Sequence, residues 1–176
     1  VLTQYRPSSL MDHLSSGAPW DLIGRKREIK VLPPYTGTHS SDWYKGTADA
    51  IAQNAWYIRR HMPENVLILS GDHIYKMDYL KMIHYHESKK ADLTIATMNV
   101  PLNEASRFGI MTVNEENRIV RFQEKPQEPE STLASMGVYV FNADMLTEKL
   151  EEDARYSASQ HDFGGNIIPG MIENHQ

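Results

Sequence analysis

The run Val66-Leu67-Ile68-Leu69 constrains the fold most, because it is a continuous stretch of apolar residues bounded by Asn65 and Gly71. An unbroken apolar run, as opposed to an alternating one, suits a strand covered on both faces, the situation of a central strand in a mostly parallel sheet. Helical spacing lies on either side. Before the run, Ile51, Ala55 and Ile58 recur at i, i+4 and i+7 and predict one helix over 46–61 that crosses to the strand. After it, Tyr79, Met82, Ile83 and His86 repeat the same period, with Asp78 where an N-cap belongs.

The next strand is predicted at 93–97, and 110–113 pairs with 119–122 as a hairpin around Asn114-Glu115-Glu116-Asn117. A strand at 135–141, a helix at 143–152 and a last helix at 162–174, interrupted at Pro169, complete the order. This is βαβαβ followed by mixed β and α, an α/β fold. The Pro/Gly/Ser-rich stretches at 15–19, 33–41 and 127–131 are too short to separate domains, and 176 residues fit one domain better than two.

Composition narrows the function classes. Without cysteine there is no disulfide framework, thiolate nucleophile or Cys-based zinc site, and a reducing, cytoplasmic setting is compatible. The net charge of -5, spread along the chain, gives no basic field for a nucleic-acid backbone. No apolar run approaches the roughly 18 residues that span a bilayer, so neither nucleic acid nor membrane is expected as a partner. Residues 1–5 read as a strand end, without an initiator Met or a signal sequence, so the chain reads as an internal fragment.

Ligands of doubly wound sheets settle beyond the carboxyl ends of strands, which directs attention to Ser70-Gly71-Asp72-His73. A carboxylate there suits a divalent metal held by one or two oxygens and substrate phosphates, with a cap of a turn or of the next helix as the plainer reading of Asp72. Gly46 and Thr47 open a helix whose N–H groups favour an anion or a base edge, with simple capping as the plainer alternative. Glu124-Lys125-Pro126 sets an ammonium beside a carboxylate at a strand end: a phosphate and sugar contact, or a surface ion pair. His84 and His86 lie two residues apart and point to different sides of a helix, and no His-Glu-x-x-His spacing occurs. The glycine fingerprints of dinucleotide and P-loop sites and the G-x-S-x-G elbow are absent as well.

In order along the chain, however, these pieces form a pattern. It runs through Leu2-Thr3-Gln4-Tyr5, Trp43-Tyr44-Lys45-Gly46-Thr47-Ala48-Asp49-Ala50 and Ser70-Gly71-Asp72-His73-Ile74-Tyr75. It continues with Arg107-Phe108-Gly109-Ile110, Phe122-Gln123-Glu124-Lys125-Pro126, Ala134-Ser135-Met136-Gly137-Val138-Tyr139-Val140-Phe141 and Asp162-Phe163-Gly164. The chain resembles the bacterial ADP-glucose pyrophosphorylase family over essentially its whole length. Related sugar nucleotidyltransferases share only the Gly-Asp and Glu-Lys-Pro elements.

The resemblance implies a Rossmann-like nucleotidyltransferase domain with a mixed, mostly parallel sheet, incomplete at both ends. Residues 1–176 would be its central part, lacking an N-terminal Gly-rich loop and a C-terminal β-helix domain. It implies adenylyl transfer from ATP to glucose 1-phosphate, giving ADP-glucose for α-glucan synthesis and releasing pyrophosphate, with Mg2+ as cofactor. Tyr44, Gly109, Glu124, Lys125 and Ser135 would contact glucose 1-phosphate, with Tyr139, Asp162 and Phe163 nearby. Lys125 would hold the sugar phosphate, Asp72 would bind Mg2+, and Gln4, Gly46 and Thr47 would face the adenine. The full-length protein is expected to be a cytoplasmic homotetramer, and the fragment alone to be inactive. A non-catalytic regulatory subunit of the same assembly, or a sister sugar-1-phosphate nucleotidyltransferase, are the alternatives.

Overall fold

A computed structural model describes residues 1–24, 27–34, 43–72 and 74–174. His73 and most of the 33–41 loop lie outside the described residues. The helices are α1 (Ser8–Leu14), α2 (Thr47–Ala52), α3 (Ala55–His61), α4 (Tyr79–Lys89), α5 (Leu102–Ala105), α6 (Ala143–Ala154) and α7 (Ile168–Asn174). The strands are β1 (Asn65–Leu69), β2 (Leu93–Asn99), β3 (Gly109–Val113), β4 (Ile119–Glu124) and β5 (Leu133–Asn142).

The longest strand, β5, organises the sheet. Its side chains alternate between two covered faces, as a pleated strand requires. Val138 and Val140 point to one side, where Met82 and the partly buried Tyr79 and Ile83 of α4 cover them together with Leu67 and Ala96. Tyr139 and Phe141 point to the other, where Ile68, Ile95, Leu146 and Leu150 of α6, Phe163 and Ile168 form the main core. Helices thus cover both faces of the sheet in a mixed α/β fold.

Among the described residues all five strands pair antiparallel, which overturns the expectation of a mostly parallel sheet. The α4 crossover does return the chain in its original direction, so β1 and β2 run the same way. The slot between them is filled by β5, which runs against both. Alternation of strands and helices dictates direction but not adjacency, and the inserted strand comes from later in the chain. β1 is likewise not central among the described residues: it pairs with β5 alone, and its side chains are half-buried to exposed.

Two helix expectations change in detail. The helix over 46–61 is broken between α2 and α3, where the Asn54 side chain donates to the Ala50 carbonyl at 2.9 Å. That carbonyl is the one the Asn54 N–H would use in a continuous helix, and the N–H turns instead to Ile51 O at 3.0 Å. In the last helix, the irregularity is not at Pro169, which sits in the first turn of α7, but in the preceding π-helical turn Phe163–Ile167. The 110–122 hairpin, the Asp78 cap and the α4 core face follow the sequence expectation, with His86 buried and His84 exposed.

Candidate functional site

The pairing leaves a gap along one edge of β5. β1 covers that edge from Asn142 to Val138, and β3 covers it at Ala134 and Leu133, so Ser135, Met136 and Gly137 face the interval where β1 ends and β3 begins. On the opposite edge β5 bulges: β2 advances from Ile95 to Thr97 while β5 runs from Tyr139 to Ser135. Bulges of this kind re-aim side chains beside functional sites. Gly137 takes up the distortion with φ of 67°, and its carbonyl accepts the N–H of Ser70 at 3.1 Å. The Ser135 hydroxyl turns back to accept the Gly137 N–H at 3.2 Å.

Glu124 ends β4 opposite Gly109, the first residue of β3. Its carboxylate lies in a seat made by two glycines. A Cβ on Gly164 would stand 2.4 Å from Glu124 Oε2, and one on Gly109 would stand 3.0 Å from the same oxygen. The first distance is closer than a Cβ allows and the second is tight, and at Gly109 a Cβ would meet the Phe122 ring first, at 2.5 Å, so the absence of Cβ at Gly164 is what lets the carboxylate lie where it does. Lys125 follows with its backbone reversed, φ 45°, its N–H donated to Phe108 O at 3.1 Å. Its ammonium is 3.5 Å from Glu124 Oε1 and its side chain is 67% exposed, leaving it open to a ligand anion.

Asp162 and Thr47 close the same region from the other side. Thr47 Oγ1 donates to Asp162 Oδ2 at 2.7 Å and accepts the Phe163 N–H at 3.1 Å, while Asp162 Oδ1 accepts the Gly165 N–H at 2.9 Å. Tyr139 lies close enough to respond to both carboxylates. Burial, above all, pushes its phenol pKa up, and the charges of Glu124 and Asp162 add to that against a hydrogen bond with Ser135. Phe163 sits behind these groups: its ring is 2% exposed and packs 5.7 Å from Tyr139 and 5.6 Å from Phe141.

At the start of α2 two N–H groups are capped from within the chain. Ala48 and Asp49 both donate to His161 O, at 2.9 and 3.2 Å. Gly46 is required by close approach, since its Cβ would fall 2.3 Å from that carbonyl oxygen. Gln4 and Tyr44 form a separate pair, the Gln4 side chain accepting the Tyr44 N–H at 2.7 Å. The Tyr44 hydroxyl donates to Leu32 O at 3.2 Å and accepts from Asn54 Nδ2 at 3.0 Å. Burial is the main reason that its pKa is raised.

Of the residues expected from the sequence, the fold brings Gly109, Glu124, Lys125, Ser135, Tyr139 and Asp162 together around the β5 gap, and Thr47, expected to face the adenine, joins them through its bond to Asp162. Sequence reasoning missed Asn54, Gly164 and the His161 carbonyl. Gly164 stood inside the Asp-Phe-Gly signal, but only the three-dimensional approach of Glu124 reveals its use. A cavity of about 760 Å3 opens at the other end of β1, beside Asn65 and Asn142, and none of the expected residues line it.

A nucleotidyl transferase family model matches residues 1–176. The chain belongs to the nucleotidyl transferase family. Among individual relatives, the glucose-1-phosphate adenylyltransferase of Clostridium acetobutylicum is 56% identical over 172 residues, covering 98% of this chain and 45% of the relative. The enzyme of that name from Halalkalibacterium halodurans shows the same identity and coverage, and that from Thermotoga maritima is 53% identical over 98% of this chain and 41% of its own length. The chain therefore spans less than half the length of these relatives.

For a nucleotidyl transferase, the donor set at Asp72 is of interest. Asp72 is exposed just beyond β1, and no hydrogen bond or ion pair of its carboxylate is seen with the described residues. A hollow lined by Leu69, Ser70, Ile74, Tyr75, Lys76 and Tyr79 is formed by the chain on either side of it, and Asp72 itself is not part of that lining. No group of three or more His, Cys, Asp or Glu side chains able to hold a metal occurs among the described residues. One free carboxylate fits Mg2+, which keeps several waters and takes its remaining oxygens from phosphates, and does not fit a metal needing an all-protein cage. No helix is long and apolar enough to cross a membrane among the described residues.

Proposed function

We propose that this chain is the central part of the catalytic domain of a glucose-1-phosphate adenylyltransferase, joining the adenylyl group of ATP to glucose 1-phosphate. The observation that carries the reading is the seat at the β5 gap. A carboxylate held between two glycines, an exposed ammonium beside it, and serine and tyrosine hydroxyls alongside suit a phosphorylated sugar. The 56% identity to relatives that carry this name supports the choice of substrate.

In the reaction, a phosphate oxygen of glucose 1-phosphate attacks the α-phosphorus of ATP. One P–O bond forms as the bond to pyrophosphate breaks. Such a displacement needs positioning and charge neutralisation more than a nucleophilic side chain. Lys125 neutralises the sugar phosphate, and Glu124 and Asp162 accept sugar hydroxyls. Thr47 holds Asp162 in place while Gln4, Gly46 and the start of α2 face the nucleotide base. Asp72 would hold Mg2+, which supplies charge neutralisation on the triphosphate when bound. Assembly as a homotetramer in the cytoplasm belongs to the same reading and rests on the family resemblance alone.

Asp72→Asn in the full-length protein tests the metal assignment. Turnover at saturating substrates should fall by at least about tenfold, since metal stabilisation acts in the transition state, while binding of glucose 1-phosphate holds. Normal turnover in that variant removes Asp72 from the site.

A further inference from the structure

The loop between α6 and the π-helical turn contains a hydrogen-bonded cluster that nothing above employs. Asp153, in the last turn of α6, uses both carboxylate oxygens: Oδ1 accepts from Ser159 Oγ at 2.6 Å, and Oδ2 is 2.6 Å from His161 Nδ1. Ser159 Oγ also accepts the His161 N–H at 2.9 Å. The side chains are well covered, His161 at 13% and Asp153 at 11% exposure. A carboxylate can only accept, so the hydrogen in the second contact sits on Nδ1.

His161 holds a left-handed backbone, φ 56°, uncommon for residues with a Cβ although histidine, like asparagine and aspartate, adopts it more readily than most. Strain of this kind persists where surrounding contacts over-determine it. Its consequences all run toward the β5 gap. The reversal aims the His161 carbonyl at the Ala48 and Asp49 N–H groups, and it presses residues 160–161 against Gly46. The next residue is Asp162, bound to Thr47, and two further on is Gly164, against which Glu124 rests.

We propose that His161, anchored by Asp153 and Ser159, is a positioning residue that sets Asp162 and Gly164 in register with Glu124 and ties that sugar-facing group to the start of α2. The inference rests on the proposed adenylyltransferase reading for its substrate, though the anchoring itself is a matter of geometry. A glycine at 161 would accept the reversed backbone equally, but only the histidine side chain pins the loop from outside the site, through a carboxylate on a regular helix.

Two variants of the full-length protein test it. His161→Gly satisfies the backbone without strain but removes the anchor. It should fold, raise the Michaelis constant for glucose 1-phosphate about tenfold, raise that for ATP by a smaller factor because the start of α2 faces the base, and speed hydrogen exchange across residues 46–52. Asp153→Asn can still accept from Ser159 and donate to Nδ1 of the other imidazole tautomer, so it should stay within about threefold of the parent on every count. An unchanged Michaelis constant for the sugar in His161→Gly, an equal shift for both substrates, or loss of its fold would each overturn the inference. If the parent itself uses no sugar phosphate, the functional reading fails instead. Hydrogen exchange then decides the anchor, with unchanged rates at 46–52 counting against it.

Discussion

With φ at 45°, Lys125 holds a backbone conformation that a Cβ penalises by roughly 1–2 kcal/mol, and it does so immediately before Pro126, which restricts it further. The fold tolerates this at a residue whose ammonium points outward beside Glu124. Strain and function are therefore separable by substitution. Lys125→Ala and Lys125→Gly should both raise the Michaelis constant for glucose 1-phosphate, by about ten- to a hundredfold for a lost charged hydrogen bond. They should differ in stability, the glycine variant being the more stable by about 1 kcal/mol, as urea denaturation would register. Equal stability of the two would mean that the reversed backbone at 125 is not maintained in solution. The residue types were legible in the sequence here. The strain was not, because Glu-Lys-Pro at a strand end gives no sign of which residue turns the chain.

At the scale of elements, α4 shows how much a periodic pattern can carry. Tyr79, Met82, Ile83 and His86 fall on its covered face, and the Asp78 carboxylate caps its first turn through the Leu80 N–H at 3.1 Å. Burial of His86, whose Nδ1 lies 2.8 Å from Thr94 Oγ1, is the main cause of a pKa below the ordinary value, with Glu87 and Asp92 opposing it. The unfolded chain takes up this proton near pH 6.5, before the folded chain does. Stability must then fall as pH drops through 6.5 toward the lower folded pKa. Melting temperatures between pH 5 and 8 should decline on the acid side more steeply for the wild type than for His86→Gln. Parallel curves would exclude His86 as a source of acid sensitivity.

The break between α2 and α3 was invisible to the same reasoning, since Ile51, Ala55 and Ile58 keep their spacing across it. What the period does not report is that the buried Asn54 amide bonds both Ala50 O and the Tyr44 hydroxyl. Asn54→Ala should cost about 1–3 kcal/mol by leaving the Tyr44 hydroxyl without that donor. A change below about 0.3 kcal/mol in chemical denaturation would contradict the role given to the amide. Helix α1 escaped detection for the opposite reason: it has no buried residue and hence no apolar face to read.

Across the whole molecule, the sequence conveys which segments are strands and, for β5, which faces its alternating side chains bury, but not that the unbroken apolar run of β1 lies half-buried. It does not convey that β5 enters between β1 and β2, or that β1 and β3 share one edge of it with a gap at Ser135 to Gly137. Neighbour choice depends on contacts between segments far apart in the chain, such as Leu67 with Val140 and Ile110 with Ala134. That gap is where residues scattered between Thr47 and Gly164 come together as the proposed site. The motifs named the residues one by one, and the pairing explains why they meet. The most direct measurement of the account is Mg2+-dependent pyrophosphate release by the full-length protein, with glucose 1-phosphate and ATP, UTP, CTP or dTTP in turn. The account predicts release with ATP and little with the others. Preference for another nucleotide, or no release at all despite binding of glucose 1-phosphate, would contradict it.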